Sequence, residues 1–288
     1  MNRKRIIIFT LACLTVLLLL EIFFPSDILQ EPLTKPLDFL SGKPFIDINL
    51  FGTDIILIVP SSTFFVYLLG IQTVILGISF LKTKNSTKHS WWSLSFIFWG
   101  IGALLAGTSY QGLGWELKCR GMEYCLFSSW FELSYLFFTA LSMAAMTTAI
   151  SKSVLSKAKE RPLIIYGGIV LSVYMILLLT GTIASVRFLI SYELFTLFFM
   201  PMFIVFFIIS IIGYRKHKDK LNKTLIITWI LFLVVNLSYY VYLFSGLTET
   251  LYQNFNIWFS ANDVLHVTLI FWMLFIQLKL KKEISAKI

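Results

Sequence analysis

The chain has 288 residues, 58% of them hydrophobic and 14% charged, with a formal charge of +9 and a mean hydropathy of +0.82. A soluble protein carries roughly 25% charged residues, so this composition excludes an ordinary soluble domain. The basic residues stand in short clusters between apolar blocks rather than in one patch, which argues against a nucleic-acid partner.

The apolar residues fall in blocks of about 18–25, the length a helix needs to cross about 30 Å of hydrocarbon. Eight spans are expected, over 6–24, 55–81, 91–110, 128–150, 162–184, 188–213, 224–245 and 262–280. Runs such as 163–179 do not alternate in polarity, so they are not barrel strands. The expected fold is all-α: one polytopic membrane bundle over 1–288, made of an N-terminal anchor helix (1–24), an outer loop (25–54) and a seven-helix core (55–281).

The first block has a basic start, as a signal peptide does, but Glu21-Ile-Phe-Phe-Pro25 offers no small-residue cleavage site. It therefore reads as an uncleaved anchor, with Cys13 a packing residue. The loop that follows contains Pro25, Pro32, Pro36 and Pro44. It reads as a loosely folded connector laid across the bundle, with a lid over an outward pocket as the functional alternative.

Lysine and arginine set the expected orientation. The N-terminus, the even-numbered connections and the tail hold 19 of the 24 basic residues, including Lys82, Lys152, Arg215 and Lys281. Basic residues stay on the cytoplasmic side, so both termini are expected inside, in the cytoplasmic (inner) membrane. Lys118 and Arg120 then fall in an outer loop, Lys118-Cys-Arg-Gly-Met-Glu-Tyr-Cys125. Two thiols in an oxidising loop, with Gly121 between them, predict a Cys119–Cys125 disulfide.

Ionisable groups inside spans are costly and mark functional positions. Glu132 lies about one turn inside the fourth span, Glu193 similarly inside the sixth, and Asn262, Asp263 and His266 open the eighth. Gln111 closes the third, and Asn236 sits nearer the middle of the seventh. All except Asn236 fall at one depth, in the outer third. Asn262 and His266 are four residues apart and share a helix face, and Asp263 can converge with His266. The expected site is an outward-facing polar pocket lined by Gln111, Glu132, Glu193, Asp263 and His266. The bland alternative is that each group reaches outer water on its own.

His89 and His217 lie in basic cytoplasmic loops and read as solvated surface residues. With His266 the one histidine left near the pocket, a tris-histidine zinc site cannot be built. A metal held by His266 with Glu132 or Asp263 is the weaker option. Trp91, Trp92, Trp115, Trp130 and Trp258 near span ends read as an interfacial belt.

Without its first span the chain resembles the superfamily of seven-helix membrane hydrolases that includes alkaline ceramidases and adiponectin-type receptors. The resemblance rests on order and spacing over about 230 residues. Gly107-Thr-Ser-Tyr-Gln111 ends the second core helix, Glu132 begins the third, and Asn262-Asp-Val-Leu-His266 begins the seventh. That family carries Ser-x-x-x-His near the end of helix two, an Asp in helix three and His-x-x-x-His in helix seven, and its histidines hold a zinc that activates water against lipid amides. Here those positions fall on Gly107 and Gln111, on Glu132, and on Asn262 and His266. Only His266 keeps a ligand type, while Ser109 or Thr108 supplies a hydroxyl out of register. The resemblance thus implies a retained pocket with the zinc site largely missing. Under a hydrolase-like reading Glu132 or Asp263 acts as general base and His266 as acid/base, on a lipid or lipid-derived amide. Ser109, Gln111, Glu193 and Asn262 then hold the ligand. The alternative is a non-enzymatic small-molecule or lipid binder, sensor or proton-coupled carrier.

Overall fold

The structure, a computed structural model, describes residues 28–50, 52–83 and 86–286, with positions 8, 10–12 and 15 of the first apolar block. The rest of the expected anchor helix, Cys13 included, lies outside the described residues. In chain order come a short helix α1 (Pro36–Leu40) and a hairpin of β1 (Phe45–Leu50) and β2 (Thr53–Ile58). Next are α2 (Pro60–Thr83), α3 (Thr87–Ala106) with a π-helical turn (Gly107–Gly112), and α4 (Gly114–Lys118). Then come α5 (Trp130–Val154), α6 (Lys157–Ile183), α7 (Tyr192–His217) and α8 (Lys220–Phe244). A surface helix α9 (Leu247–Phe255) leads to α10 (Ala261–Phe275), which continues through a second π turn (Ile276–Leu280) into α11 (Lys281–Ala286).

Seven helical stretches among the described residues are long and apolar enough to cross a membrane: 60–83, 87–112, 130–154, 157–183, 192–217, 220–244 and 261–286. The chain is therefore a multi-pass membrane protein built as an all-α bundle. Seven of the eight expected spans are accounted for. Successive spans run in opposite directions, so the starts of α2, α5, α7 and α10 share one end of the bundle with the close of α3, α6 and α8. This is called the capped end below.

Burial identifies the central helix. Within its apolar window α5 is 78% buried, whereas α6 is 17% buried and presents its side chains to lipid. The centre is made of small residues: Ala140, Ala145, Thr147, Ala149 and Ser151 are all buried on α5. With lipid outside there is little hydrophobic force to join helices, and close backbone approach through small residues replaces it. The pair α2–α3 shows this most sharply. A Cβ on Gly70 would lie 3.0 Å from the Gly100 carbonyl oxygen, and one on Gly100 would lie 2.7 Å from the Gly70 oxygen. At the opposite end Phe80, Trp92 and Phe96 form a three-ring cluster, with near-parallel planes and centroids 5.6–6.2 Å apart.

The segment 28–58 departs from the loosely folded connector expected there. It pairs with the loop after α4: Gln30 N–H donates to the Cys125 carbonyl, Cys125 N–H to Thr34, and Phe127 N–H to Ile28. Arg187 donates to the Leu29 carbonyl at 2.6 Å and pairs with Glu31 at 3.2 Å. Glu116 accepts from the Ile56 amide and pairs with Arg120, whose guanidinium also donates to the Asp54 carbonyl. Segment 28–58, α4 and the loop to Ser129 thus form a hydrogen-bonded cap. The disulfide Cys119–Cys125 is present and fully buried inside it.

Two further expectations are corrected. Residues 55–58 belong to β2, and the helix begins at Pro60, where a proline fits the first turn without losing a hydrogen bond. Between them Val59 holds a left-handed φ of 40° and donates to the Pro44 carbonyl. His89 is not a solvated loop residue. It is wholly buried beside Phe80, with its ring nitrogens against the Ser86 and Ser285 hydroxyls, because α11, the far end of the last span, lies against the start of α3. His217 is exposed at the end of α7.

The disulfide closes a loop of sequence separation 6, which contributes about 2 kcal/mol through the unfolded chain. A Cys119→Ser/Cys125→Ser variant is expected to unfold at lower temperature in detergent. Reductant should lower the wild-type midpoint to the same value and leave the variant unchanged.

Candidate functional site

The capped end holds two buried polar clusters, each built on the first turn of a spanning helix. The first is centred on Glu132. Ser129 caps α5 by accepting from the Glu132 amide, and a carboxylate near a helix N-terminus is favoured by the helix dipole. Glu132 Oε1 accepts from Lys118 Nζ at 2.8 Å and from Ser109 Oγ at 2.9 Å. The Ser109 and Ser129 hydroxyls are 2.7 Å apart. Both ions are out of water, with side-chain exposures of 7% for Lys118 and 2% for Glu132.

Local backbone makes this possible. In the π turn Leu113 N–H reaches back to the Thr108 carbonyl, a wider turn than an α-helix allows, and Ser109 and Gln111 are both buried within it. Glycine is required where the chain leaves that turn, since a Cβ on Gly114 would strike the Ser109 carbonyl oxygen at 2.5 Å. Lys118 Nζ also lies 5.4 Å from the Tyr110 ring centroid and 5.6 Å from that of Phe39. Lys43 Nζ sits 4.5 Å from the same Phe39 ring. Partial burial of the Lys43 amine, together with the Lys118 charge, holds Lys43 below the usual lysine pKa.

The second cluster is centred on Asp263. Ser260 and Asp263 form a reciprocal capping box at the start of α10. Asp263 Oδ2 accepts from the Ser260 amide at 2.5 Å, the Ser260 hydroxyl at 2.8 Å and the Ser62 hydroxyl at 2.9 Å. Asp263 is fully buried, and its Oδ1 has no partner among the described residues. One turn on, His266 is half-buried, and its Nδ1 has no partner among them either. Gln111 is buried, and its Oε1 likewise has none among the described residues.

The first two turns of α2 connect these groups. Ser62 binds Asp263, a Cβ on Gly112 would meet the Thr63 methyl at 3.2 Å, and Tyr67 shares a 2.8 Å hydrogen bond with Thr108. Gln111, Asp263 and the start of α2 therefore lie at one level of the bundle.

Of the sequence-derived residues, the structure brings Ser109 and Glu132 into contact and places Asp263 and Gln111 at that same level. His266 follows Asp263 on α10 without a hydrogen bond to Glu132. Glu193 and Asn262 are exposed, and neither is hydrogen-bonded to the two clusters. The sequence reading missed Lys118, which is a buried counter-ion rather than a loop charge. It also missed Ser62, Ser129 and Ser260. The last two carry a legible signal, since Ser129-x-x-Glu132 and Ser260-x-x-Asp263 are helix-start patterns.

No group of three or more His, Cys, Asp or Glu side chains suited to a metal occurs among the described residues. A single imidazole with capped carboxylates does not fit a hydrolytic zinc, which takes three protein ligands. Comparison of the chain with protein-family models, with curated proteins and with solved structures finds no match.

Removing one partner of a buried ion pair strands the other, at a cost of about 3–5 kcal/mol. Lys118→Met and Glu132→Gln are each expected to lower stability on that scale. The double variant should be destabilised by much less than the two added together, as read from unfolding midpoints in a double-mutant cycle.

Proposed function

We propose that the protein stands in the cytoplasmic membrane with its capped end outside. There it binds, without cleaving it, the hydrogen-bond-donating headgroup of a lipid or lipid-derived amide. The orientation rests on the distribution of 19 of 24 basic residues.

The observation that carries the binding reading is a set of buried polar atoms without a partner among the described residues: Gln111 Oε1, Asp263 Oδ1 and His266 Nδ1, the last an acceptor when the ring proton is on Nε2. Each such atom costs about 1–3 kcal/mol while unpaired. A ligand bearing amide N–H, hydroxyl or ammonium groups recovers that cost, and the acceptors in turn select for donors. The carboxylates support binding over proton transfer. Glu132 Oε1 is already engaged by Lys118 and Ser109, and Asp263 Oδ2 by three donors, which suits fixed scaffolding.

A hydrolase-like function is the second reading. It is favoured by the placement of Asp263 and His266 three residues apart on α10, each with an unpaired atom, and by the resemblance to the seven-helix membrane hydrolases. In that reading His266 is the acid/base group.

A short-chain N-acyl amino alcohol distinguishes these readings. Binding is expected to stabilise the purified protein by about 2.7 kcal/mol at a hundredfold excess over Kd, read as a raised unfolding midpoint. A matched methyl ester without donors should have little effect, and Asp263→Asn and Gln111→Leu should weaken the response. Equal stabilisation by both compounds, or none, would sink the binding reading. Release of the amine product, detected by mass spectrometry and lost in His266→Gln, would establish the second reading instead.

A further inference from the structure

The connection between α8 and α10 is not a plain loop. Residues 247–255 form the amphipathic helix α9, none of whose residues is buried among the described residues. Gly246 and Asn256 hold left-handed φ values of 67° and 54° and end the helix on both sides. Ile257 N–H returns to the Leu251 carbonyl, the closure expected where a left-handed residue stops a helix. Four residues make one face, Leu247, Leu251, Tyr252 and Phe255. Glu249, Thr250 and Gln253 make the opposite one, as the 3.6-residue period requires. The apolar face is open: Leu247 is 43% exposed and Phe255 66%.

The position of α9 is constrained at both ends. The chain from Phe244 to Leu247 passes through two residues, a reach of at most about 10 Å between those positions. On the other side Tyr242 donates to the Phe259 carbonyl and Ser61 to the Trp258 carbonyl, which pins 258–259 to the ends of α8 and α2. Tyr252 meets Trp258 edge-on at 5.3 Å. The helix therefore cannot stand away from the membrane boundary. Beside it Phe244 is 82% exposed and Ile257 55%, so its apolar face continues the lipid-facing surface of α8.

We infer that α9 is an interfacial helix lying in the leaflet at the capped end, with Leu247, Leu251 and Phe255 in the acyl boundary and Glu249 and Gln253 in water. The occupant of its apolar face is bilayer lipid. Residues 245–260 contain no Lys or Arg, and Glu249 is their one charge. Membrane-surface helices that depend on anionic lipid present basic polar faces, so α9 needs only zwitterionic lipid. This inference depends on the chain crossing the membrane and not on the ligand reading above.

The test is spin-label depth measurement on the full-length protein in phosphatidylcholine vesicles. In a Cys13→Ala background, the variants Leu247→Cys, Leu251→Cys, Phe255→Cys, Glu249→Cys and Gln253→Cys each carry one nitroxide. Labels at 247, 251 and 255 are expected to collide more with dissolved oxygen than with a water-soluble nickel chelate, at depths of about 5–10 Å. Labels at 249 and 253 should show the reverse, with no change on adding anionic lipid. Equal access of the chelate to all five positions would overturn the inference, as would a requirement for anionic lipid. Dipolar broadening between copies, with 247, 251 and 255 shielded from both reagents, would assign the face to a second copy and overturn it too.

Discussion

Two opposite charges removed from water have to find each other, and the capped end is arranged around that requirement. Lys118 and Glu132 are both buried, and neither is affordable there alone. Their contact fixes α4 against the first turn of α5. Ser109 supplies a second donor to the same carboxylate oxygen, which fixes the π turn that ends α3. Gly114 lets the chain turn from that segment into α4. The hairpin joins through Glu116 and Arg120, which flank Lys118 by two residues on either side. Segment 28–35 joins through the disulfide loop that follows Lys118. The cap is thus a set of backbone pairings gathered about one desolvated ion pair.

The second cluster meets the same polar problem by different means. Asp263 has no cation among the described residues; three donors around one oxygen replace it, two from its own capping box and one from Ser62. That third donor is available because α2 is positioned from within the bundle, by the approach of Gly70 to Gly100. Helix packing deep in the hydrocarbon and a polar contact at its edge are therefore coupled. The coupling extends outward, since residues 258–260 bind both α2 and α8 while linking α9 to α10. The buried polar clusters and the surface helix of the capped end share one short piece of chain.

The spans were legible because the bilayer imposes a length on apolar runs that no soluble context imitates. The disulfide was legible because its two cysteines stand six residues apart in one loop, with Gly121 between them. Other features were hidden for definable reasons. Ile55-Ile-Leu-Ile58 reads the same as buried strand or helix, since a short apolar run has no telling period. Lys118 looked like a loop charge because its partner lies 14 residues further on, across the disulfide loop. His89 looked solvated because nothing local announces that α11, nearly 200 residues further on, packs against it. The common depth of Glu132, Asp263 and Gln111 was readable from span ends alone. Which of them touch is a matter of helix rotation, which hydropathy does not carry.

Hydrogen–deuterium exchange on the Lys118→Met variant tests the organising role of the ion pair most directly. Local opening is reported by the amides that lose protection. The account predicts faster exchange in 28–58 and 114–127, with α6, α7 and α8 unchanged from wild type. Exchange that is unaltered in the cap, or raised evenly through every helix, would contradict it.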